Sequence, residues 1–477
     1  MNWSSTAHWG KWVWAFVAVG GLSGCASVSL EQNLGRIQAN VAGLTEGQLV
    51  LAQSSQEHQQ YAQRANQLLS RPVGQQEAVQ IALTNSHALQ ALLAQGWAEA
   101  ADAAQTGRMT NPQFTFERMV AGDGLELGRA LSFGLWDLIT LPARAGLAER
   151  RIEQAQLRLS IEVVDRVTQV RQAWVSAVAA QQTLAYARQV FTSAEAGAEL
   201  ARRMQSVGNF NRLSRAREQS FYAEAATRLA TAQHQAIARK EELVRLLGLD
   251  ESQAQQLKLP ERLPDLPPAV LAPDVVGAQA TQGRLDIRLA QNALTSAGKA
   301  QGLNIVTSFT DIELTARRNT TFDDMAGGHA HPRGWEVAVR LPIFDGGGMQ
   351  RDAWNAQTLA AAHRLEATVR AAGSTLRESY SAYRTAYDVA KHYRDEVVPL
   401  RRVISEENQL RYNGMLIGVF ELLADARDQV GTVMAAIDAQ QQFWQADAAL
   451  QASLLGRPTM TSLSVTSLVP SSGGAGH

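Results

Sequence analysis

The sequence contains few cysteines, prolines and aromatic residues, and its charge is nearly balanced. Its 477 residues include 1 cysteine, 13 prolines and 6% aromatic residues, and the net charge is −1. One cysteine cannot form an internal disulfide. The balanced charge argues against a nucleic-acid partner, which would require a basic face. Abundant alanine and glutamine favour helices over an ordinary mixed core.

Enzyme motifs and long apolar segments are also missing. We find no Walker loop, no nucleophile elbow and no clustered zinc motif, so we expect neither an enzyme nor a bound cofactor. No segment approaches the roughly 18 uninterrupted apolar residues of a membrane-spanning helix. If the mature chain crosses a membrane, we expect it to do so as strands of a closed barrel.

The N-terminus has the features of a targeting segment. Lys11 precedes an apolar stretch from Trp12 to Val19, which is too short to span a bilayer. The motif Leu22-Ser23-Gly24-Cys25 resembles a bacterial lipobox, in which the cysteine is lipidated, for example with palmitate. We therefore expect a signal peptide over 1–24, lipidation of Cys25 and, because Ala26 follows, sorting to the outer membrane. The alternative is a buried free cysteine behind an ordinary signal peptide.

The chain repeats itself. Leu246-Leu247-Gly248 recurs 208 positions later as Leu454-Leu455-Gly456, and Leu135-Trp136-Asp137 corresponds at the same offset to Ile343-Phe344-Asp345. Two landmarks with one offset favour a duplication. Each unit predicts a helix, two short strands, a very long helix, a glycine turn and a last helix.

The long helices are predicted over 143–206 and 349–412, and the first helices over 76–106 and 274–301. A helix of about 60 residues would reach about 90 Å, so we expect coiled-coil struts rather than globular helices. Pro142 is expected in the first turn of its helix, where a missing N–H does no harm. An ordinary coiled-coil scaffold is the alternative.

Short alternating segments argue against that alternative. Apolar and polar residues alternate over 125–135 and 335–341, and we expect partner strands over 113–120 and 303–316. Period-2 alternation over about ten residues suits a membrane barrel strand, although a half-buried soluble hairpin would show it too. Four strands are too few to close a barrel, because the smallest use about eight, so we expect a ring of several copies.

The strand-to-helix junction carries a family resemblance. Residues 339–348, Val-Arg-Leu-Pro-Ile-Phe-Asp-Gly-Gly-Gly, resemble the junction of TolC-like outer-membrane efflux proteins, as do Arg284-Leu285-Asp286 and the segment 77–85 at the starts of the two repeats. We expect Pro342 to end the strand, Asp345 to cap the helix, and the glycines to redirect the backbone. The junction residues are Pro342, Phe344, Asp345, Gly346 and Gly347.

The resemblance implies a mostly helical fold with a small barrel contribution, in which each chain of a homotrimer gives four strands to a twelve-stranded barrel and two helical hairpins to a periplasmic tunnel. The implied organisation is a lipidated N-terminal and equatorial segment (25–75), a first repeat (76–248), a proline-rich equatorial linker (249–273), a second repeat (274–456) and a flexible tail (457–477).

The resemblance also implies functional positions at the hairpin tips, where family members meet a periplasmic adaptor. The implied contact residues are Arg203, Val207, Gly208, Asn209, Arg411, Gly414 and Met415. Both tip glycines are expected to adopt positive φ.

A gate is implied just beyond the second tip. Its candidates are Glu421, Asp425 and Asp428, whose carboxylates would form threefold rings that favour cations. Ala424 occupies a position where some members carry Asp, and solvated charges on a helix face are the alternative.

His329 and His331 are weak metal candidates in a predicted outer loop over 319–334, with Asp323 and Asp324 nearby. Two spaced histidines are more typical of a polar surface loop than of a metal site.

The leading hypothesis is a passive outer-membrane channel of a tripartite efflux pump, with an adaptor, an inner-membrane pump and outer-membrane lipid as partners. The alternatives are a periplasmic coiled-coil adaptor or scaffold lipoprotein, which needs no amphipathic strands, and the outer-membrane component of a type I protein secretion system. The substrates expected of such a channel are drugs, metal ions or other small molecules.

Overall fold

The computed structural model of the chain describes residues 29–45, 47–121, 124–281, 283–307, 311–323, 328–341 and 343–458. The predicted signal peptide, Cys25, Asp324, Pro342 and the predicted tail beyond residue 458 lie outside the described residues. The chain divides into two compact units, residues 1–37, 94–159 and 287–370 in the first and 38–93, 160–286 and 371–477 in the second.

Helices dominate both halves of the sequence, as the composition predicts. They are α1 (Leu30–Val41), α2 (Ser55–Leu69), α3 (Gln75–Asn85), α4 (His87–Gln105), α5 (Leu135–Ser206), α6 (Arg212–Leu247), α7 (Glu251–Gln256), α8 (Pro273–Thr281), α9 (Leu285–Thr307), α10 (Gly348–His392), α11 (Val398–Asn413) and α12 (Val419–Leu454). None of these described helices combines the length and hydrophobicity that spanning a bilayer requires.

The first unit contains one antiparallel sheet. Its strands are β1 (Gln113–Ala121), β2 (Gly124–Gly134), β3 (Ile312–Asp323), β4 (Gly328–Ala330) and β5 (Arg333–Val339), in the order β1-β2-β3, with β4 and β5 both paired to β3. β4 and β5 keep the same register along β3, so they act as one interrupted fourth strand. The four-strand sheet expected from the alternation is thereby confirmed.

Two predicted boundaries of the second repeat are wrong. The third strand was expected over 303–316, but α9 continues to Thr307 and β3 begins at Ile312. The outer loop expected over 319–334 is largely strand, because β3 extends to Asp323 and pairs with β4. The alternation along β3 is hidden in the sequence because Arg318 and Thr320 occupy positions of its apolar face.

The long helix α5 begins earlier than predicted. Strand β2 passes directly into α5 at Leu135, so Pro142 lies inside the helix rather than in its first turn. There it removes one backbone hydrogen bond. In the second repeat, the expected long helix has a wide π-type turn over Tyr393–Val397 before α11. Pro399 comes after Val398, and the wider turn makes room for the carbonyl of Asp395, which the proline ring would otherwise meet.

The first helix of each repeat is broken into two, and the Leu-Leu-Gly endings lie against the breaks. Gly248 (φ +68°) follows α6, and a Cβ atom added to it would lie 2.7 Å from the Ser86 Cα, between α3 and α4. Gly456 (φ +89°) lies in the same way against Asp286, at the start of α9. The Asn85 side chain donates to the Gly248 carbonyl at 2.8 Å. The duplicated sequence therefore builds a duplicated contact.

A core cluster of the second unit packs helices α10 and α12 around Phe443, which is fully buried, together with Tyr383 and Tyr387. The proline-rich linker covers this cluster. The Tyr387 hydroxyl donates to the carbonyls of Pro267 and Pro268, at 3.1 and 3.3 Å. Proline lacks the backbone N–H that a helix or strand needs, so the carbonyls of this linker have no regular backbone partner. The Tyr387 hydroxyl supplies a hydrogen bond to two of them instead.

Candidate functional sites at the hairpin tips and the strand sheet

The first hairpin tip joins α5 to α6. Gly208 has φ +80°, a conformation that costs side-chain-bearing residues energy, as the sequence predicted. Asn211 caps α6, because its side-chain oxygen accepts a 2.8 Å hydrogen bond from the Ser214 N–H. Val207 and Asn209 lie exposed between these two fixed points. The turn therefore presents its side chains to solvent from a defined backbone.

Arg203, one turn before the first tip, forms an ion pair with Glu199 at 2.7 Å, and Arg202 pairs with the same carboxylate at 2.7 Å. The two guanidinium groups hold the pKa of Glu199 below its usual value. The pairs are solvent-exposed, and such pairs are weak. Arg203 therefore remains available to another anionic group.

The second tip differs from the prediction. Gly414 has φ −79°, and the left-handed residue is Met415, at φ +59°. Gly414 instead continues the helical path, donating its N–H to Leu410 at 2.9 Å, and the Leu416 N–H closes the turn on the Arg411 carbonyl at 2.8 Å. This pattern is a helix-ending motif that normally places glycine where Met415 stands. The Met415 side chain is 94% exposed.

The acidic residues beyond the second tip are not equivalent. Glu421 lies exposed in the first turn of α12. Asp425 is buried, and its carboxylate lies 3.9 Å from Arg401 of α11. Arg401 also pairs with Asp428 at 3.1 Å. Two of the three predicted gate residues thus share one arginine of the same chain.

Arg401 is not among the residues predicted from the sequence, although its spacing from the tip glycine indicates its pairing with Asp428. Arg401 and Asp428 lie at nearly equal distances from Gly414 along the chain, so antiparallel pairing of α11 with α12 brings them together. A second missed arginine, Arg427, donates a 2.7 Å hydrogen bond to Glu218 of α6 and stands 4.8 Å above the Phe221 ring. That contact links the two helical hairpins.

At the second strand-to-helix junction, Asp345 accepts a 2.8 Å hydrogen bond from the Gly347 N–H and closes a turn just before α10. Gly347 has φ +69°, a conformation that glycine adopts without strain. The guanidinium of Arg351 donates a hydrogen bond to the Gly346 carbonyl. Phe344 is fully exposed. Pro342 lies outside the described residues.

The predicted histidine pair gains no support as a metal site. His331 Nδ1 lies 3.4 Å from the Thr320 hydroxyl. The backbone of His329 belongs to β4, but its side chain and Asp324 lie outside the described part of the chain. Among the described residues, no group of three or more His, Cys, Asp or Glu side chains is arranged to hold a metal ion.

The sheet has two chemically different faces. Alternation and register place Phe114, Leu131, Leu314 and Val337 on one face, which we call the apolar face. The opposite face, which we call the polar face, carries the strand carboxylates Glu117, Glu126, Glu313 and Glu336. Many of the apolar side chains are exposed in the isolated chain, including Phe116, Trp335 and Val339.

No known family model and no curated protein matches the chain by sequence. Solved structures do match. A membrane protein from Pseudomonas aeruginosa shares 22% identity over 80% of this chain and 93% of its own, with a TM-score of 0.68. The CmeC outer membrane channel of Campylobacter jejuni shares 14% identity over 80% and 85%, with a TM-score of 0.67.

A third structure, the open state of the MtrE outer membrane channel of Neisseria gonorrhoeae, shares 19% identity over 81% of this chain and 91% of its own, with a TM-score of 0.65. The TolC-like fold predicted from the sequence is therefore confirmed, as a mostly helical chain with a small antiparallel sheet.

Proposed function

We propose that the chain is the passive outer-membrane duct of a tripartite efflux pump, acting as a homotrimer with a periplasmic adaptor and an inner-membrane pump. The fold shared with outer-membrane channels supports this proposal. The expected substrates are drugs, metal ions or other small molecules. The chain itself would hydrolyse nothing, and the energy would come from the inner-membrane partner.

The sheet is the observation that carries the proposal. Among the described strands, β1 pairs only with β2, and β5 pairs only with β3, so both edges of the sheet are unpaired. All residues of β5 are exposed. An open-edged sheet with an apolar face is unstable in water. Three copies would pair these edges in a twelve-stranded barrel, with the apolar face toward lipid and the carboxylates toward the lumen.

The hairpin tips would form the adaptor contact. Each tip presents exposed side chains from a backbone fixed by hydrogen bonds: Val207 and Asn209 at the first tip, Met415 at the second. Arg203 and Arg411 flank them and would add charge-assisted hydrogen bonds to acidic groups of the adaptor. A scaffold lipoprotein would also have such tips, but it would have no use for the amphipathic sheet.

The acidic residues would narrow the duct near its periplasmic end. Because Arg401 already pairs with Asp425 and Asp428, Glu421 is the carboxylate we expect to project freely into a threefold ring. Such a ring favours cations. Asp425 and Asp428 would instead hold α11 against α12 and so fix the position of Glu421.

Cys25 would carry the lipid anchor that holds the N-terminus at the outer membrane. The lipobox-like sequence supports this part of the proposal. The anchor and the barrel are separate attachments, so replacing Cys25 should leave a trimer that still requires detergent.

The proposal is tested by native mass spectrometry of the detergent-extracted full chain, alongside labelled-palmitate incorporation and a Cys25→Ala control. We expect a trimer that dissociates on heating, label that is lost in Cys25→Ala, and ion conductance in planar bilayers. A Cys25→Ala protein that is monomeric and soluble without detergent would contradict the duct and favour the scaffold.

A further inference from the structure

Arginines form a lateral row across the apolar face of the sheet. In the register of the strands, Arg129 of β2 lies directly opposite Arg318 of β3, and Arg318 lies directly opposite Arg333 of β5. Side chains directly opposite each other in an antiparallel sheet have Cβ atoms only about 5 Å apart. Three strands therefore place three arginine side chains next to one another.

The next row toward the hairpin loops is basic as well. It contains Arg118 of β1, opposite Leu127, and His331, which contacts Thr320. All strand carboxylates with described side chains lie on the polar face instead. Among the described residues, none of the four arginines on the apolar face is seen in an ion pair, and all four are exposed.

Like charges directly opposite each other destabilise a sheet. An arginine on the lipid side of a barrel costs about 2–4 kcal/mol at the bilayer centre and little near the interface. The row is therefore explained by a position at the membrane surface and by an anionic group that none of the described side chains supplies.

The neighbouring row on the side away from the hairpin loops indicates a position at the membrane surface. It contains Phe114 of β1 and Trp335 of β5, one on each edge strand, with Leu131 and Ala316 between them. Aromatic residues form girdles at the two interfaces of membrane barrels. Farther from the hairpin loops the face is purely apolar, with Phe133, Leu314 and Val337 in the next row. From its helical end toward the hairpin loops, the face is thus apolar, then aromatic, then basic, and it closes with one apolar row of Val120, Leu125 and Phe322.

We propose that Arg129, Arg318 and Arg333 bind the phosphate groups of an acylated, bisphosphorylated glycolipid of the outer leaflet. The inference rests on the proposed function, because it requires the apolar face to contact lipid. Guanidinium groups bind phosphate through paired hydrogen bonds, and the apolar and aromatic rows below would contact the acyl chains. In a trimer the row would recur three times around the barrel.

The test uses the detergent-extracted full chain and native mass spectrometry during titration with purified lipid A. Adjacent residues of β3 provide a matched pair of variants, because Arg318 lies on the apolar face and Arg317 on the polar face. We expect Arg318→Gln to weaken lipid A binding about fivefold, and Arg129→Gln/Arg318→Gln about 25-fold, if each arginine contributes about 1 kcal/mol. Arg317→Gln should bind like the wild type.

Two further ligands identify the source of the phosphate. Lipid A stripped of its phosphates should bind wild type and variants equally weakly, and millimolar inorganic phosphate should not displace lipid A. Displacement by inorganic phosphate alone would overturn the lipid assignment in favour of a simple anion site. Equal binding of lipid A by the wild type and the double variant would also overturn the inference. If that occurs in an intact, conducting trimer, the proposed function still stands, whereas loss of the trimer would count against the duct itself.

Discussion

Arg427 of α12 donates a 2.7 Å hydrogen bond to the carboxylate of Glu218 on α6, and the Glu218 side chain is only 3% exposed. Each residue belongs to a different repeat, so one ion pair joins the two hairpins. The Phe221 ring beneath the guanidinium adds a cation–π contact. Loss of one partner would leave the other charge poorly solvated.

Glu218→Gln should therefore destabilise the chain by about 1–3 kcal/mol, less than breaking a fully buried pair, because the Arg427 side chain stays 32% exposed. The double replacement Glu218→Gln/Arg427→Met should cost clearly less, since it leaves no uncompensated charge. Thermal unfolding in detergent would measure both. The exposed pair of Arg239 and Glu242 on α6 supplies the control, because Glu242→Gln should have little effect. A Glu218→Gln protein as stable as that control would show that the pair is energetically unimportant.

The sequence contained enough information for the duplication, the helices and the sheet, because these depend on patterns local to each segment. Alternation located three of the four strands, whereas β3 was misplaced where Arg318 interrupts its apolar face. The break between α3 and α4 depends on Gly248, which is remote in sequence, so no local pattern could reveal it.

The candidate sites were less predictable for the same reason. The tip turns were located by their glycines, but which residue becomes left-handed at the second tip depends on how α11 ends. The acidic residues were visible, while their pairing with Arg401 requires the packing of two helices. The arginine row was overlooked because its members come from three separate strands and meet only through the register.

The duplicated glycine contacts make a further prediction. Gly248→Ala would place a Cβ atom on a backbone with left-handed φ and press it against the Ser86 Cα. The Cβ atom of Gly456→Ala would lie 2.9 Å from the backbone nitrogen of Asp286. Each should cost about 1–3 kcal/mol, and more if the neighbouring helix cannot move. Differential scanning calorimetry of the two variants would measure the loss.

Gly277→Ala is the matched control for these substitutions. Gly277 lies in α8 with no atom within 4 Å of an added side chain, so alanine should stabilise that helix by about 0.5–1 kcal/mol. Equal melting temperatures for all three variants would mean that the glycine endings have no structural role.

At the second hairpin tip, one substitution should change the stability of the turn and the binding of the adaptor in opposite directions. Met415→Gly should stabilise the turn by about 1 kcal/mol, since the left-handed conformation penalises a side chain. The same change removes the most exposed side chain of the tip, so adaptor binding should weaken in a surface-plasmon assay. Met415→Asn, which tolerates this conformation, should behave in the same direction. Stronger adaptor binding by Met415→Gly would indicate that flexibility, rather than the methionine, governs docking.

A buried carboxyl group makes stability depend on pH. Burial raises the pKa of Asp447 on α12 to about 6, although Arg171 and the Gln451 side chain, which donates to Asp447 at 2.9 Å, both favour the charged form. An unfolded aspartate has a pKa near 4. Between these two values the folded chain retains a proton that the unfolded chain releases.

Asp447 therefore stabilises the fold least at high pH. The contribution of Asp447 to the free energy of unfolding is greatest below about pH 4. About 3 kcal/mol of that contribution is lost as the pH rises through about 6. Asp447→Asn keeps the shape without the charge, so it should raise the melting temperature at pH 8 and have little effect at pH 4. Thermal unfolding across this range would measure the difference, with Asp102→Asn at an exposed position of α4 as control. A wild type and an Asp447→Asn variant whose melting temperatures stay parallel at every pH would mean that the carboxyl group ionises as it does in water.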